Sequence, residues 1–384
     1  MFGLLLMVGA VFALIAARTL LYPLALAVLF AYLIYPVAAR LERWGWPRIP
    51  ANLVSILVLM CVAGGVSYVL YMQFSAFADD VPDMQVQAWE NIYELMYRIE
   101  GITGIPAADQ RAWFDERVAG FGSGDGQQLR RFFFATTSTL VAVGLQPVYI
   151  FFLLYYRDKF RQFVMMVVPQ HRQNDIAAAL DDISLVTGRY MGGLFLVVSI
   201  LCVLNSTGLY LIGIRYALLF GIVSALINLI PYFGTLAGGA VPLVFALLLE
   251  DSPHYAGYVA LFFLVIQFVE NNILTPNIVG GQVRINPLFI ILSLIVGSLI
   301  WGLPGMFVAV PYLAMFKIIC SYVPKLRPIS YLIGTSGTER HELTWQKVAR
   351  LWQRRPKEPS RAEPFTSQPH PVESPPVGAH PKEA

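Results

Sequence analysis

The sequence has 384 residues, of which 57% are hydrophobic and only 13% are charged. Soluble globular domains average about 45–50% apolar and about 25% charged residues, so a soluble fold of this composition would lack surface charge. This excludes a disordered chain, a disulfide scaffold and an ordinary soluble enzyme, and it predicts a polytopic membrane protein. The net charge of +3 is too small to indicate nucleic acid as a partner.

Ten apolar segments follow one another along the chain, at 1–17, 20–39, 52–72, 132–156, 192–214, 216–230, 236–249, 255–274, 287–301 and 306–323. A helix needs about 20 residues to cross the hydrocarbon core, and a run of about 15 rises only about 22 Å. The short pair around Pro231 therefore predicts either two spans or one re-entrant helical hairpin, and the pair around 302–305 is a weaker second case. We predict an all-α polytopic membrane protein with about eight transmembrane helices and one or two such hairpins.

Loop charges predict the sidedness of these segments. The link between the second and third segments carries Arg40, Arg43 and Arg48 against Glu42, which places it in the cytoplasm by the positive-inside rule. The stretch between the third and fourth segments holds ten acids against five arginines, which fits the outside. Both termini are then cytoplasmic.

The same pattern divides the chain into six predicted parts. They are the first three transmembrane helices (1–72), an extracytoplasmic amphipathic helical insert (73–131), a transmembrane helix (132–156), a cytoplasmic amphipathic linker helix (157–190), a transport core with interrupted helices (191–323) and a cytoplasmic basic and disordered tail (324–384). Residues 85–100 and 175–190 show apolar side chains at three- and four-residue steps, which predicts amphipathic helices. Such helices lie on the membrane surface or pack on a neighbouring subunit, and we favour the surface.

Motifs for catalysis and metal binding are absent from the sequence. There is neither an HExxH zinc motif nor a GxxxxGK[ST] nucleotide-binding loop. Cys61, Cys202 and Cys320 each lie inside an apolar run and are read as small buried hydrophobes. We therefore expect no enzyme activity, no cofactor and no metal site.

Polar residues inside apolar segments are the stronger signal, because an ionisable group at membrane depth is costly and is usually functional. Glu270 is followed by Asn271 and Asn272 near the end of an apolar run. From spacing alone, an ion-handling carboxylate and an interfacial carboxylate are equally good interpretations. Asn228, three residues before Pro231, is read as a polar lining group or a hydrogen bond between helices.

Two apolar segments carry interruptions, one at Asn228–Gly234 and one at Leu274–Gly281, which includes Thr275 and Pro276. Broken helices free backbone groups at membrane depth, and transporters use these groups to hold solutes and ions. We hypothesise that the two interruptions face each other, so that Glu270 with its neighbouring carboxamides binds a cation or exchanges a proton. The candidate pathway residues are Glu270, Asn271, Asn272, Asn228, Pro231, Gly234, Thr275 and Pro276.

Four stretches together resemble the autoinducer-2 exporter family of permeases over about residues 1–325. They are Gly208–Gly221, Asn228–Gly234 with Gly238 and Pro242, Glu270–Pro276, and Gly302–Met306 with Pro311. The resemblance implies an oligomeric secondary transporter in the bacterial plasma (inner) membrane, with about eight spans. By this resemblance, the interrupted segments after the fifth span would form the moving, substrate-handling part of the transporter. The first spans and the external insert would form the scaffold. Some members of the family resemble exporters of a small signalling molecule, and others resemble sodium(lithium)/proton antiporters.

The leading hypothesis is export of a small polar solute by alternating access, driven by an ion gradient. The expected partners are the lipid bilayer, the solute, a coupling proton or sodium ion and further copies of the chain. One alternative is sodium(lithium)/proton antiport. Another is a non-transporting membrane scaffold that recruits cytoplasmic partners through its tail, a role that deletion of 331–384 should abolish.

Overall fold

The computed structural model describes residues 9, 12–106, 108, 110–111, 137–231, 233–249, 253–280 and 284–335. Five helices among them are long and apolar enough to cross a membrane: Arg18–Arg43, Arg48–Val81, Gln170–Ile212, His254–Val279 and Leu303–Tyr322. Shorter apolar helices accompany them at Gly144–Tyr155, Ala217–Ile227, Ala237–Leu249 and Pro287–Trp301. The prediction of an all-α polytopic membrane protein is confirmed. The part of the predicted tail (324–384) beyond residue 335 and part of the predicted insert (73–131) lie outside the described residues.

The helices are numbered here in chain order. They are α1 (Arg18–Arg43), α2 (Arg48–Thr103), α3 (Thr137–Tyr155), α4 (Arg157–Val167), α5 (Gln173–Ile212), α6 (Ala217–Ile227), α7 (Phe233–Leu249), α8 (Pro253–Val269), α9 (Pro287–Trp301), α10 (Leu303–Tyr322) and α11 (Arg327–Ile333). Helix α8 continues as a π-helix over Glu270–Val279, which we call the π-segment.

Two helices are longer than the sequence pattern indicates, because α2 has 56 residues and α5 has 40. The amphipathic stretches predicted at 85–100 and 175–190 are therefore not separate helices, since each continues an apolar span without a turn. In α5 the apolar side chains Ile183 and Tyr190 are buried against the rest of the chain. This face packs inside the protein, in contrast to the membrane-surface position that we expected for it.

Helices α6 and α7 form a short helical hairpin, the α6–α7 hairpin. Eleven residues of α6 rise about 16 Å, roughly half the hydrocarbon thickness, which agrees with a re-entrant arrangement. The two helices are held together where the Ser224 hydroxyl donates a hydrogen bond to the Gly238 carbonyl. The hairpin also packs closely on α5, because a Cβ at Gly221 would lie 2.4 Å from the Ser206 amide nitrogen.

The open end of the α6–α7 hairpin is joined to α2 by an aromatic cluster, Phe77, Tyr216, Phe220 and Phe245. The rings of Phe77 and Tyr216 meet edge to face at 5.2 Å, and those of Phe220 and Phe245 lie 4.5 Å apart. Asp80 of α2 accepts hydrogen bonds from the Tyr216 hydroxyl and the Arg215 guanidinium just before the hairpin. Burial of aromatic rings and these polar contacts stabilise the same junction.

Candidate functional site

The closed end of the α6–α7 hairpin meets the π-segment at Glu270. This carboxylate is buried, with 8% of its surface exposed. Its Oε1 accepts a hydrogen bond of 2.6 Å from Nδ2 of Asn228, which caps the C-terminus of α6. The two interruptions that the sequence marks as candidate site segments are therefore in direct contact. Their role in transport remains a prediction.

The turn between α6 and α7 is tight, and its geometry positions Asn228. A Cβ at Gly234 would lie 2.3 Å from the Asn228 Cα, so the return of the chain past Asn228 requires glycine. The Gly234 amide donates to the Ile230 carbonyl at 2.9 Å, and Pro231 lies half-buried between them. The turn thus holds the Asn228 carboxamide against the π-segment.

The π-segment replaces the break that we predicted at Leu274–Gly281. Pro276 has no N–H and would leave a carbonyl of a regular α-helix without a donor, whereas a π-helix shifts the pairing of that turn. Side chains supply further donors: the Asn272 carboxamide donates to the Phe268 carbonyl, and that of Asn277 donates to the Ile273 carbonyl, both at 2.8 Å. The helix therefore persists to Val279.

The other predicted site residues of this segment lie on a different face from Glu270. Asn271, Asn272, Thr275 and Pro276 are all exposed on the surface of the chain. The structure thus brings Glu270, Asn228, Pro231 and Gly234 together and leaves these four outside the buried contact.

A small cavity adjoins Glu270. The volume open to the centre of a water-sized sphere is about 20 Å³, and about 10–15 Å³ is enough to hold one water molecule. Leu201, Phe263 and Ile266 form its apolar wall. Its polar lining comes from four elements and consists of Asn205, Ser224, Asn228, Gln267 and Glu270. The cavity can therefore hold a single water molecule or a single small cation.

The sequence reasoning missed three of these polar residues, Asn205, Ser224 and Gln267, and two of them carry a buried atom without a partner. Asn205 on α5 is 3% exposed, and its Oδ1 has no hydrogen-bond partner among the described residues. Nε2 of Gln267 is likewise buried without a partner in that part of the chain. Gln267 precedes Glu270 by three residues, so the shared helix face was a usable signal. Asn205 could have been found only as an isolated polar residue in an apolar run.

The electrostatics of the site are set by one carboxylate. None of the ion pairs that the described residues form involves Glu270. A buried carboxylate without a positive partner is strongly disfavoured in its charged form, unless a proton or a cation neutralises it. Within the described residues, no group of three His, Cys, Asp or Glu side chains could hold a metal ion. The arrangement suits a proton or a monovalent cation better than a resident metal.

Within this bundle of apolar spans, a helical hairpin meets the π-segment at a buried carboxylate. Such an arrangement is typical of membrane transporters with interrupted helices. Residues 2–325 match the family described as AI-2E family transporter. The chain belongs to that family, and it is a membrane transporter. The resemblance seen in the sequence is confirmed.

Individual relatives are similar over most of their length. "Putative transport protein YrrI" of Bacillus subtilis is 26% identical over 329 residues, which cover 81% of this chain and 88% of the relative. "Putative transport protein YhhT" of Escherichia coli K12 is 24% identical over 79% of this chain and 84% of the relative. "AI-2 transport protein TqsA" of the same strain is 24% identical over 84% of this chain and 92% of the relative.

Proposed function

We propose that this transporter exports a small polar solute across the bacterial plasma membrane by alternating access, driven by a proton or sodium gradient. One observation carries the proposal: Glu270, a buried carboxylate without an ionic partner among the described residues, is hydrogen-bonded to the closed end of the α6–α7 hairpin. The sequence contains no nucleotide-binding loop, which supports an ion gradient as the source of energy. The name of the relative TqsA supports a signalling molecule as the solute.

The hydrogen bond gives a physical route from ion binding to movement. Asn228 donates to a Glu270 oxygen, and this donor is held more strongly by a charged carboxylate than by a protonated or cation-bound one. Neutralisation of Glu270 would therefore weaken the contact that holds the hairpin to the π-segment. Release and recapture of the hairpin would then follow occupancy of the site, as alternating access requires.

Sodium(lithium)/proton antiport is the second candidate, and the size of the cavity favours it. A volume of about 20 Å³ accommodates one small cation but no organic solute in this conformation. In antiport, Glu270 would carry the cation and the proton in alternation. Asn205 Oδ1 would be an additional oxygen ligand for the cation.

Flux measurements on purified protein in proteoliposomes test both candidates. Under an imposed proton or sodium gradient, the wild type should move the solute against its own gradient, and Glu270→Gln should abolish this coupling. Glutamine keeps the size and an acceptor for Asn228 but cannot ionise, so membrane insertion and assembly should persist. Asn228→Ala should lower flux less severely, because the carboxylate remains.

Glu94→Gln is the matched control, since Glu94 is an exposed carboxylate that pairs with Arg98. Cation/proton exchange without any solute would favour antiport over export. Normal coupled transport by Glu270→Gln across pH 6 to 8 would show that coupling lies elsewhere.

The orientation belongs to the same proposal. The basic loops support cytoplasmic termini and an outer position for the residues that follow α2. A reporter fused after Ala108 should therefore be active only outside the cytoplasm, and activity inside would reverse the topology.

A further inference from the structure

A second cavity, of about 310 Å³, lies at the end of the bundle where α3 gives way to α4. It is bounded by α1, α3, α4 and α5 and is open on one side. This volume is at the lower end of the range for ligand sites, about 300–1,000 Å³. Most of the wall is apolar and comes from Val28, Ala31, Leu153, Leu154, Val164 and Leu180. The cavity lies outside the Glu270 site and takes no part in the proposed coupling.

Polar side chains also line this cavity. Arg157 and Arg161 of α4 line it together with Asp158, and Ser184 lines it from α5. The guanidinium of Arg157 also lies over the Tyr35 ring, 5.1 Å from its centre. The lining thus combines apolar side chains with N–H and O–H donors, as an amphiphilic ligand requires.

Acidic partners hold Arg157 and Arg161 in place, but each guanidinium has more N–H donors than these pairs use. Arg157 Nη2 donates to Glu42 at 2.5 Å, and Arg161 forms two hydrogen bonds with Asp181, at 2.5 and 3.0 Å. A guanidinium has five N–H donors, and Nη1 of Arg157 is without a partner among the described residues. Both guanidiniums are therefore oriented and charged. The Arg161 side chain is 48% exposed and can approach an oxyanion, while Arg157 adds a fixed positive charge beside it.

Helix α4 locates this cavity at the membrane surface. Its apolar side chains Phe163, Met166 and Val167 are exposed, whereas its first turns carry basic residues. A short amphipathic helix of this kind lies in the plane of the interface, with apolar side chains among the acyl chains and basic ones among the head groups. The opening of the cavity is then at the level of lipid phosphates.

We propose that this cavity binds one membrane glycerophospholipid, with the phosphodiester at Arg157 and Arg161 and part of an acyl chain against the apolar wall. Basic pockets between membrane helices at the cytoplasmic side are suited to lipid head groups. Asp158 of the same lining accepts a hydrogen bond of 2.6 Å from Arg48 Nη2, so the acidic and basic side chains here balance and neither sign of head-group charge is strongly selected. Anionic and zwitterionic phospholipids should therefore both bind.

Native mass spectrometry of the full-length protein in mild detergent tests this directly. Delipidated protein is titrated with phosphatidylglycerol, with phosphatidylethanolamine, with a fatty acid and with inorganic phosphate. The wild type should retain one phospholipid per protomer from either phospholipid. Inorganic phosphate and the fatty acid should compete only at much higher concentrations, since each supplies half of the contacts.

Two variants remove the two halves of the site without touching the Glu42 pair. Arg161→Gln removes a charged donor, and Val164→Phe fills the apolar part. Each should weaken phospholipid binding about tenfold, as expected for loss of one charge-assisted contact or of the chain-binding volume. Arg172→Gln, an exposed arginine outside the cavity, is the matched control. Unchanged melting temperatures would show that the variants are folded.

Several outcomes would overturn the proposal. These are a wild type that retains no phospholipid, equal retention in both variants, equal binding of the fatty acid, and a strict requirement for an anionic head group.

Discussion

Oδ1 of Asn205, in the lining of the Glu270 cavity, has no hydrogen-bond partner among the described residues, and this lowers the stability of the fold. A buried polar atom without a partner costs about 1–3 kcal/mol. Natural proteins keep such groups where a ligand completes them, which is the role we assign to Asn205 in holding the coupling ion. Stability and transport should therefore respond to its replacement in opposite directions.

We predict that Asn205→Leu leaves the melting temperature unchanged or raises it, while coupled flux falls about tenfold, the loss expected for one hydrogen bond to a charged group. Leucine has similar size and needs no partner, so the apolar surroundings accept it. Thr187→Val is the matched control, because Thr187 Oγ1 on the same helix is also buried and unpaired among the described residues. It should gain stability without loss of flux. Normal flux in Asn205→Leu would remove Asn205 from the site.

For individual residues, the sequence predicted which types of side chain form the site better than it predicted which of them lie in contact. Glu270 and Asn228 stand out in any apolar run, and they are in contact. Asn271 and Asn272 share the polarity of Glu270, yet the turn of the helix places them on the exposed side. Gln267 has the right spacing but an uncharged side chain, so composition gave it no weight. Residues that are adjacent in sequence point to different sides of a helix. The helix face, and not adjacency in sequence, therefore determines which residues line the site.

Among the elements, the α6–α7 hairpin depends most on one backbone position. We predict that Gly234→Ala lowers the free energy of unfolding by about 1–3 kcal/mol, since the new Cβ must displace the Asn228 backbone. Coupled flux should fall with it, because the Asn228 carboxamide moves away from Glu270. Thermal unfolding in detergent and proteoliposome flux measure the two effects.

Gly257→Ala is the control for the loss of a glycine. Nothing lies within 4 Å of a Cβ at Gly257, in the second turn of α8. Alanine favours a helix by about 1 kcal/mol over glycine, so this variant should be as stable as the wild type or more stable. If both variants behave alike, the close approach at Gly234 has no importance for the hairpin.

Helix boundaries were the least predictable feature of the elements. A change from an apolar to an amphipathic pattern looks like a boundary, but the backbone hydrogen bonds of α2 and α5 continue through it. Pro276 looks like a helix breaker, but a π-helix absorbs it with help from Asn272 and Asn277. Both cases follow from one cause: periodicity reports the surroundings of side chains, whereas helices end only where backbone pairing fails.

For the molecule as a whole, deletions that spare or remove the end of the last described helix, α11, distinguish a transporter from a scaffold. Ile333 of α11 is buried, and its carbonyl accepts a hydrogen bond of 2.8 Å from the Asn286 amide. We predict that deletion of 336–384 leaves coupled flux unchanged, whereas deletion of 331–384 lowers stability because it removes this contact. A scaffold would lose its role in both. Loss of flux on deletion of 336–384 would give the tail a part in transport.

Assembly is the second prediction for the whole molecule. The family resemblance and the exposed Val86 and Tyr97 of α2 lead us to expect a homo-oligomer. Native mass measurements in mild detergent and in lipid nanodiscs should give a single species of several protomers. A single-protomer mass in both media would contradict this.

The length of α2 has a mechanical consequence. Residues 82–103 continue the helix beyond its apolar part for about 33 Å. This rod is tied to the α6–α7 hairpin at Asp80, and the Asn91 carboxamide donates to the Leu248 carbonyl at 2.9 Å. A lever of this length converts a tilt of about 5° at the hairpin into a displacement of about 3 Å at its far end. Movement of the α6–α7 hairpin during the transport cycle should therefore be detectable beyond the apolar part of α2, for example as a change in distance between spin labels near residue 103.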